Sequence, residues 1–312
     1  MIDHRPWLPL QGQMSSRLDF EVLLRDFTTF RVGGAAGIMA RPEKSGELRT
    51  LVNLARELGL PVLVLGGGSN LLFSDSGFAG LVIKLGRSFA TIENLGGGRI
   101  LAGAAAAVLE LLAWAWEKEL GGLECLAGVP GTVGGALAGN SGIGGQTVGR
   151  IVNRLFVLGE DGEAKVLKET ELKFSSRRLF GLSPEAVILG AEFNLKPRPK
   201  IEIRSNITEA LERRHQTQPL GERSAGCVFK NPPGQSAGRI IEECGFKGYV
   251  YGGARVSEIH ANFIIARAGA TCADILTLME LIRRGVSEKY GLLLEPEIRI
   301  IGPTGEVGHE MA

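Results

Sequence analysis

The chain alternates short apolar runs with glycine-rich turns, and the period of its apolar positions switches repeatedly between helix-like and strand-like spacing. Over Lys44–Leu58 the apolar residues fall at Leu48, Leu51, Val52, Leu54, Ala55 and Leu58, one face of a helix. Gly59 and Pro61 close that helix. Val62–Leu65 then feeds Gly66-Gly67-Gly68-Ser69-Asn70, which reads as a buried strand running into a glycine turn. Further strands are predicted over Gly80–Leu85, Arg99–Gly103, Ile151–Leu158, Ala164–Leu167, Ala186–Leu195, Asn262–Ala266 and Leu292–Ile301. Glu160-Asp161-Gly162 is the turn of a hairpin. Helices are predicted over Ala104–Leu120, Ile201–His215, Ser236–Cys244 and from Thr271 to about Tyr290, the last capped by Thr271 with Asp274. Asp26–Gly37 reads as a loop and short strand, and Leu95–Gly98 as a turn.

This mixture of elements predicts an α+β protein. The first 17 residues are polar and punctuated by Pro and Gly, and are expected to form a mobile arm. The Pro/basic run Lys196–Lys200 is the best domain boundary in the chain.

The glycine turn at Gly66–Gly68 allows two readings, a plain hairpin turn or a backbone cradle for phosphate. It is not the dinucleotide fingerprint, because SNLLF follows where a helix should begin. A second glycine stretch, Gly128–Asn140 (GVPGTVGGALAGN), favours the cradle. Composition narrows the ligand. The formal net charge of +1 gives no global field for nucleic acid or an anionic membrane, so any phosphate must be met by local amides and a few placed cations. No stretch approaches the roughly 20 apolar residues of a membrane helix, and the N-terminus lacks signal-peptide character; a cytoplasmic protein is expected. Cys125, Cys227, Cys244 and Cys272 show no CxxC pairing, so neither a disulfide framework nor a metal site is indicated.

Read together, the motifs resemble the UDP-N-acetylenolpyruvoylglucosamine reductases, flavoenzymes of peptidoglycan precursor synthesis. The resemblance runs from about Asp26 to Gly302. It rests on TTFRVGGAA (Thr28–Ala36), LGGGSNLL (Leu65–Leu72), GVPGTVGGA (Gly128–Ala136) and TQPL (Thr217–Leu220). It continues through AGCVFKNPPG (Ala225–Gly234), AGRIIEECGFKGY (Ala237–Tyr249), VSEIHANFI (Val256–Ile264) and LEPEIRIIG (Leu294–Gly302). The resemblance implies a two-subdomain FAD-binding domain of vanillyl-alcohol-oxidase (PCMH) type, over 18–86 and 87–196. A C-terminal α/β substrate-binding domain would occupy 201–302, with a tail at 303–312. FAD, held non-covalently, would be contacted by Arg31, Val32, Gly66, Gly67, Gly68, Ser69 and Asn70, and by Gly128, Val129, Pro130, Gly131, Thr132 and Gly134. NADPH would be the co-substrate, the UDP-sugar enolpyruvyl ether the substrate, and the protein a monomer or weak dimer.

The same resemblance assigns the chemistry. Hydride addition to an enolpyruvyl group builds charge on the carboxylate-conjugated carbon, which calls for a cation on the carboxylate and an acid at that carbon. The proton donor would be Cys227, where the family usually has serine; a thiol, with an ordinary pKa of about 8.5, is a stronger acid than an aliphatic hydroxyl. Glu297 matches the family's carboxylate near the reacting carbon. It shares one face of its strand with Glu295 and Arg299. Arg177 would hold the substrate carboxylate, with Arg178 the competing cation one residue on. Ser176 stands where the family has tyrosine. Lys230, Asn231, Gln218 and Arg214 are expected to bind substrate, and His260 to be structural. GNSGIGG (Gly139–Gly145) lacks the family's aromatic near the flavin, and the connection from Gln216 to Ser224 is short and carries no tyrosine. That last feature resembles the branch with a more open site.

Two alternatives stay open from the sequence. One is another flavin oxidoreductase of the same fold, against which stands the absence of any histidine between His4 and His215 to tether FAD. The other is an FAD or nucleotide-sugar binding protein that has lost activity.

Overall fold

A computed structural model describes residues 2–143, 145–175, 178–183 and 186–307. Three lobes, each built on its own sheet, surround one cleft.

The first lobe is a four-stranded sheet in the order Arg17–Leu23, Ala35–Arg41, Phe78–Ile83, Val62–Val64, antiparallel in its first pair and parallel in the others. Helix α1 (Ser45–Glu57) buries Leu48, Leu51, Val52 and Ala55 against it, on the face the apolar period predicts. The N-terminal segment does not extend away as an arm. Arg5–Gly12 forms a 3-10 helix whose Trp7 is fully buried in the core with Ile38, Leu48 and Leu81. One aromatic anchor outweighs the polar composition around it, because burying an indole stabilises by far more than a few exposed polar residues oppose.

Glu47 on α1 holds the next part of this segment. Its carboxylate accepts from the Ser15 amide at 2.8 Å and the Ser16 hydroxyl at 2.7 Å, from the Glu43 amide at 2.9 Å, and from the Ser15 hydroxyl. Packing alone would raise its pKa, but these hydrogen bonds outweigh the desolvation and hold it at about 2. A depressed carboxylate contributes stability above the ordinary carboxylate range and loses it as pH falls toward the folded value. At pH 7, Glu47→Gln is expected to lower Tm by about 2–4 °C, for a net contribution of about 1 kcal/mol. In parallel thermal melts, the gap between wild type and variant should close as pH is taken from about 4.5 to 2; a gap independent of pH would remove the carboxylate from this role.

The second lobe is a five-stranded antiparallel sheet in the order Ala164–Lys168, Val152–Leu158, Val187–Asn194, Arg99–Gly103, Ile92–Gly96. Helix α2 (Val108–Glu117) is shorter than the Ala104–Leu120 predicted. Its expected first turn is instead a tight turn and a single bridge against the second glycine stretch: Ala106 N donates to Gly103 O at 3.1 Å, while Val133 N donates to Ala106 O, Gly134 N to Ala104 O and Val108 N to Gly131 O, each at 2.9–3.0 Å. Helix α3 (Val133–Ala138) follows, N-capped by Thr132. Helix α4 (Lys200–Thr217) also packs on this lobe, with Trp116 Nε1 donating to Lys200 O at 3.2 Å and Ile207 against the lobe's core. Lys196–Pro197 pairs with Leu120–Gly121, so the Pro/basic run is strapped down.

The third lobe carries a three-stranded sheet, Val250–Tyr251, Ala254–Val256 and Ile264–Ala266, under α5 (Ala237–Glu243) and α6 (Cys272–Tyr290). Helix α6 buries Ile275, Leu278, Met279, Ile282 and Val286, spaced three and four apart, and has the Thr271–Asp274 capping box. The chain then returns to the first lobe: Arg299–Gly302 pairs in parallel with Leu71–Phe73, directly after the first glycine turn. Phe30, Val32 and Leu72 are buried in the third lobe's core, so the lobes share apolar surface. Among the described residues no helix is long and apolar enough to cross a membrane.

Candidate active site

The three lobes enclose a cleft of about 3040 Å³, well beyond the roughly 300–1,000 Å³ of a drug-sized ligand site. Its floor is made by the two glycine stretches, which meet backbone to backbone. A Cβ on Gly67 would lie 2.4 Å from Gly131 Cα, and one on Gly66 would lie 2.6 Å from the Thr132 hydroxyl. Ser69 Oγ ties the loops together by donating to Pro130 O at 3.1 Å. Gly68 takes φ +64 with its carbonyl accepting from Thr29 N at 3.2 Å. Among the described residues, the N–H groups of Gly66, Gly67, Gly68 and Ser69 donate to no protein acceptor. A run of unpaired amides in a concave wall is a site for an oxygen-rich anion. Arg31, at φ +58 between buried Phe30 and Val32, lines the same wall and forms no ion pair among the described residues.

The opposite wall comes from the third lobe. Cys227 bridges to Phe263 and Phe229 to Pro296, while Glu297 N donates to Val228 O at 2.7 Å and Lys230 N to Glu295 O at 2.8 Å. The Cys227 and Glu297 segments are therefore paired neighbours, and both side chains line the cleft. Glu297 is also joined to the glycine floor, since Asn70 Nδ2 donates to Glu297 O at 3.4 Å and Arg299 N to Asn70 O at 3.0 Å. Side-chain alternation here follows the sequence reading: Leu294, Pro296 and Ile298 are buried, whereas Glu295 and Arg299 are exposed and Glu297 is half-buried.

The described residues expected to bind cofactor or substrate also line this cleft. Several have local duties as well. Arg214 Nη1 donates to Gly128 O at 3.2 Å and to Gln218 Oε1 at 3.3 Å, so Arg214 and Gln218 brace the second glycine stretch. Lys230 is ion-paired with Glu295 at 2.9 Å. Asn231 Oδ1 accepts from Ala237 N at 3.0 Å and fixes the start of α5. Arg177 and Ser176 lie outside the described residues. In the GNSGIGG segment, Gly142–Ile143 pairs with Gln146–Thr147, and Ile143 lines the cleft. Burial pushes the Cys125 thiol up to about 11 and Cys272 to about 12, and raises Cys244, which leaves these three as packing residues. His260 is likewise pushed toward its neutral form by burial, with Nδ1 accepting from Asn262 N at 3.2 Å. No metal-binding cluster occurs among the described residues.

Three residues that sequence reasoning passed over position this site. Buried Asn262 clamps the Cys227 segment: Oδ1 accepts from Phe229 N at 2.9 Å and Nδ2 donates to Phe229 O at 2.7 Å. Lys84 reaches the carbonyl of Gly66 at 2.9 Å. Asp75, in the turn after Leu71–Phe73, caps α6 from another lobe, accepting from Cys272 N at 2.8 Å and Ala273 N at 3.1 Å. A carboxylate on the positive end of a long helix is a strong cap. Asp75→Ala is expected to lower Tm by about 2–6 °C, from a loss of about 1–2 kcal/mol, and Asp75→Asn by less. Melting curves equal to wild type for both would show that the cap contributes nothing to docking of the lobes.

The comparisons with known proteins agree with this geometry. A family model for an FAD binding domain matches residues 36–167, and one for the C-terminal domain of UDP-N-acetylenolpyruvoylglucosamine reductase matches residues 218–301. The UDP-N-acetylenolpyruvoylglucosamine reductase of Geotalea uraniireducens (strain Rf4) is 40% identical over 293 residues, 94% of this chain and 97% of that protein. The enzyme of the same name from Moorella thermoacetica is 41% identical over 297 residues, 94% and 97% of the two chains. The crystal structure of UDP-N-acetylenolpyruvylglucosamine reductase (MurB) from Thermus caldophilus superposes with a TM-score of 0.80 at 38% identity, over 91% of this chain and 99% of that one. The unpaired amides of Gly66–Ser69, on glycine loops packed so closely that an added Cβ would drive them apart, fit the diphosphate of FAD. With an α+β fold, an FAD-binding domain and this extent of identity, the chain belongs to the UDP-N-acetylenolpyruvoylglucosamine reductases.

Proposed function

We propose that this flavoenzyme reduces the enolpyruvyl ether of a UDP-N-acetylglucosamine to UDP-N-acetylmuramate at the expense of NADPH, in the cytoplasm. The observation that carries the reading is that Cys227 and Glu297 stand on paired segments joined to Asn70 of the glycine floor: Glu297 N donates to Val228 O at 2.7 Å, and the Asn70 side-chain Nδ2 donates to Glu297 O at 3.4 Å. FAD would be held along Gly66–Asn70 and Gly128–Gly134, where it would supply hydride for the terminal carbon (C3) of the enolpyruvyl group. The Cys227 thiol then delivers its proton to C2, the carbon that gains negative charge. A sulfur acid is suited to that step because it gives up its proton more readily than a serine hydroxyl. Glu297, half-buried beside it, holds a water or the substrate and assists protonation. Arg177 takes the enolpyruvyl carboxylate with its two-pronged guanidinium, which stabilises the enolate as charge develops. Lys230 and Asn231 contact substrate from the same wall, and Arg214 with Gln218 keeps the second glycine stretch in place.

The test is anaerobic. Purified flavoprotein should be bleached by NADPH and regain its yellow colour on addition of the enolpyruvyl UDP-sugar, with UDP-N-acetylmuramate formed in equal amount. A reduced flavin that this sugar never reoxidises would sink the proposal.

A further inference from the structure

The floor of the cleft rests on two cations with no carboxylate partner among the described residues. Lys84 follows the strand Phe78–Ile83, and its amide donates to Ala40 O at 2.9 Å, which places it beside Arg41 on the neighbouring strand. Its ammonium donates to Gly66 O at 2.9 Å. Arg41 lies over the Phe27 ring at 5.5 Å from the centroid, with its Nε buried and without an acceptor among the described residues. Burial, and then the charge of Arg41, press the lysine toward its neutral form. Two half-buried like charges side by side oppose each other and are costly to desolvate. A lysine needed only to hold one carbonyl could be replaced by an uncharged donor without that penalty. The arrangement becomes favourable when an anion sits against the floor.

The peptide geometry specifies where. The Gly66–Gly67 peptide is planar and trans, so its C=O and N–H point in opposite directions. By fixing the Gly66 carbonyl, Lys84 fixes the direction of the Gly67 N–H, one of the amides with no protein acceptor among the described residues. Without that contact a glycine pair is free to flip its peptide and present the oxygen to the ligand.

We propose that Lys84, backed by Arg41, is a positioning residue of the FAD diphosphate subsite, which locks the Gly67 N–H toward the phosphates and supplies the positive potential beneath them. The inference rests on the assignment of FAD to this cleft. It makes two demands of opposite sign, since the cations oppose one another without the cofactor and assist with it.

Apo-protein prepared from wild type, Lys84→Met and Lys84→Arg would be titrated with FAD at 50 and 300 mM salt, following flavin fluorescence, and melted without FAD. Lys84→Met is expected to bind FAD about 10- to 100-fold more weakly with a smaller salt dependence. Its apo Tm should be equal to or above that of wild type, and Lys84→Arg should stay within about threefold of wild-type affinity. Unchanged affinity in Lys84→Met overturns the proposal. So does a fall in affinity accompanied by a lower apo Tm and an unchanged salt dependence, which would make Lys84 a strut only. A Lys84→Met protein without native circular dichroism in the apo state would likewise reduce Lys84 to a strut and overturn the proposal. Wild type that takes up no FAD would overturn this inference and the flavoenzyme assignment together.

Discussion

Replacing Cys227 with alanine is expected to leave reduction of the flavin by NADPH at its wild-type rate and to slow its reoxidation by the enolpyruvyl UDP-sugar by about 10²–10⁴-fold, the usual worth of a positioned general acid. The two half-reactions would separate because, in the proposed mechanism, the thiol acts only in the second. Removing Sγ from a half-buried side chain at the cleft wall should disturb packing little, since the main chain there is held independently by the Phe263 bridge and by the Asn262 clamp on Phe229. Cys227→Ser should recover most of the lost rate, because a hydroxyl in the same place can still carry a proton. Stopped-flow absorbance of the flavin reads both steps in one experiment. Equal reoxidation in wild type and Cys227→Ala would remove the thiol from the reaction and pass the proton to a water held by Glu297. A cysteine here also exposes the enzyme to oxidation in a way serine would not. A half-buried thiol in an open cleft is accessible to peroxide, whereas Cys125 and Cys272 are buried and held protonated.

The parts of this molecule legible in its sequence are those set by local pattern. Helix α6 is readable to its cap because the apolar period, Thr271 with Asp274, and Gly291 at the C-terminus all lie within one segment. The hairpin around Glu160-Asp161-Gly162 is readable for the same reason. What local pattern cannot show is pairing over distance. Ala35–Arg41 is an interior strand with buried Ala36, Ile38, Met39 and Ala40, but AAGIMAR has neither alternation nor a β-branched run to announce it. Arg17–Leu23, which pairs along one edge of it, is by contrast legible as a strand, since Leu18, Phe20 and Val22 alternate with Arg17, Asp19 and Glu21. The withdrawal of Ala104–Ala107 from α2 depends on a partner segment, Gly131–Gly134, that comes later in the chain. The site divides in the same way. Its glycines and the Cys227 and Glu297 segments carry motifs, whereas Lys84 and Asp75, and Asn262 although it lies inside the VSEIHANFI stretch, act through backbone atoms of residues distant in the chain. Asp75 to Cys272, for example, spans 197 positions. A lysine after a strand or an aspartate in a turn has an ordinary surface role until the fold supplies its partner.

The cofactor floor should be intolerant of substitution for a steric reason. Gly67→Ala is expected to yield protein that purifies largely without flavin and binds added FAD about 10- to 100-fold more weakly, or worse, since the two glycine loops must separate and overpacking of this kind costs about 1–3 kcal/mol or more. The added Cβ would lie 2.4 Å from Gly131 Cα and 3.4 Å from its carbonyl carbon and amide nitrogen. Unlike a clash with the end of a flexible side chain, this one is with main chain and has no rotamer to relieve it. Moving either loop also strains the contacts that align them, the Ser69–Pro130 bond at 3.1 Å and the Arg214–Gly128 bond at 3.2 Å. The control is Gly97→Ala, in the turn between Ile92–Gly96 and Arg99–Gly103, where a Cβ meets nothing within 4 Å. Its positive φ of 62° makes that substitution a test of backbone strain without the steric clash. The expected result is a modestly destabilised protein that keeps its flavin. The two variants, compared by flavin content and by FAD titration of the apo-protein, separate loss of the cradle from a general loss of stability. If Gly67→Ala holds FAD as tightly as wild type, the loops do not need their close approach, and the diphosphate must be held by other donors in the cleft.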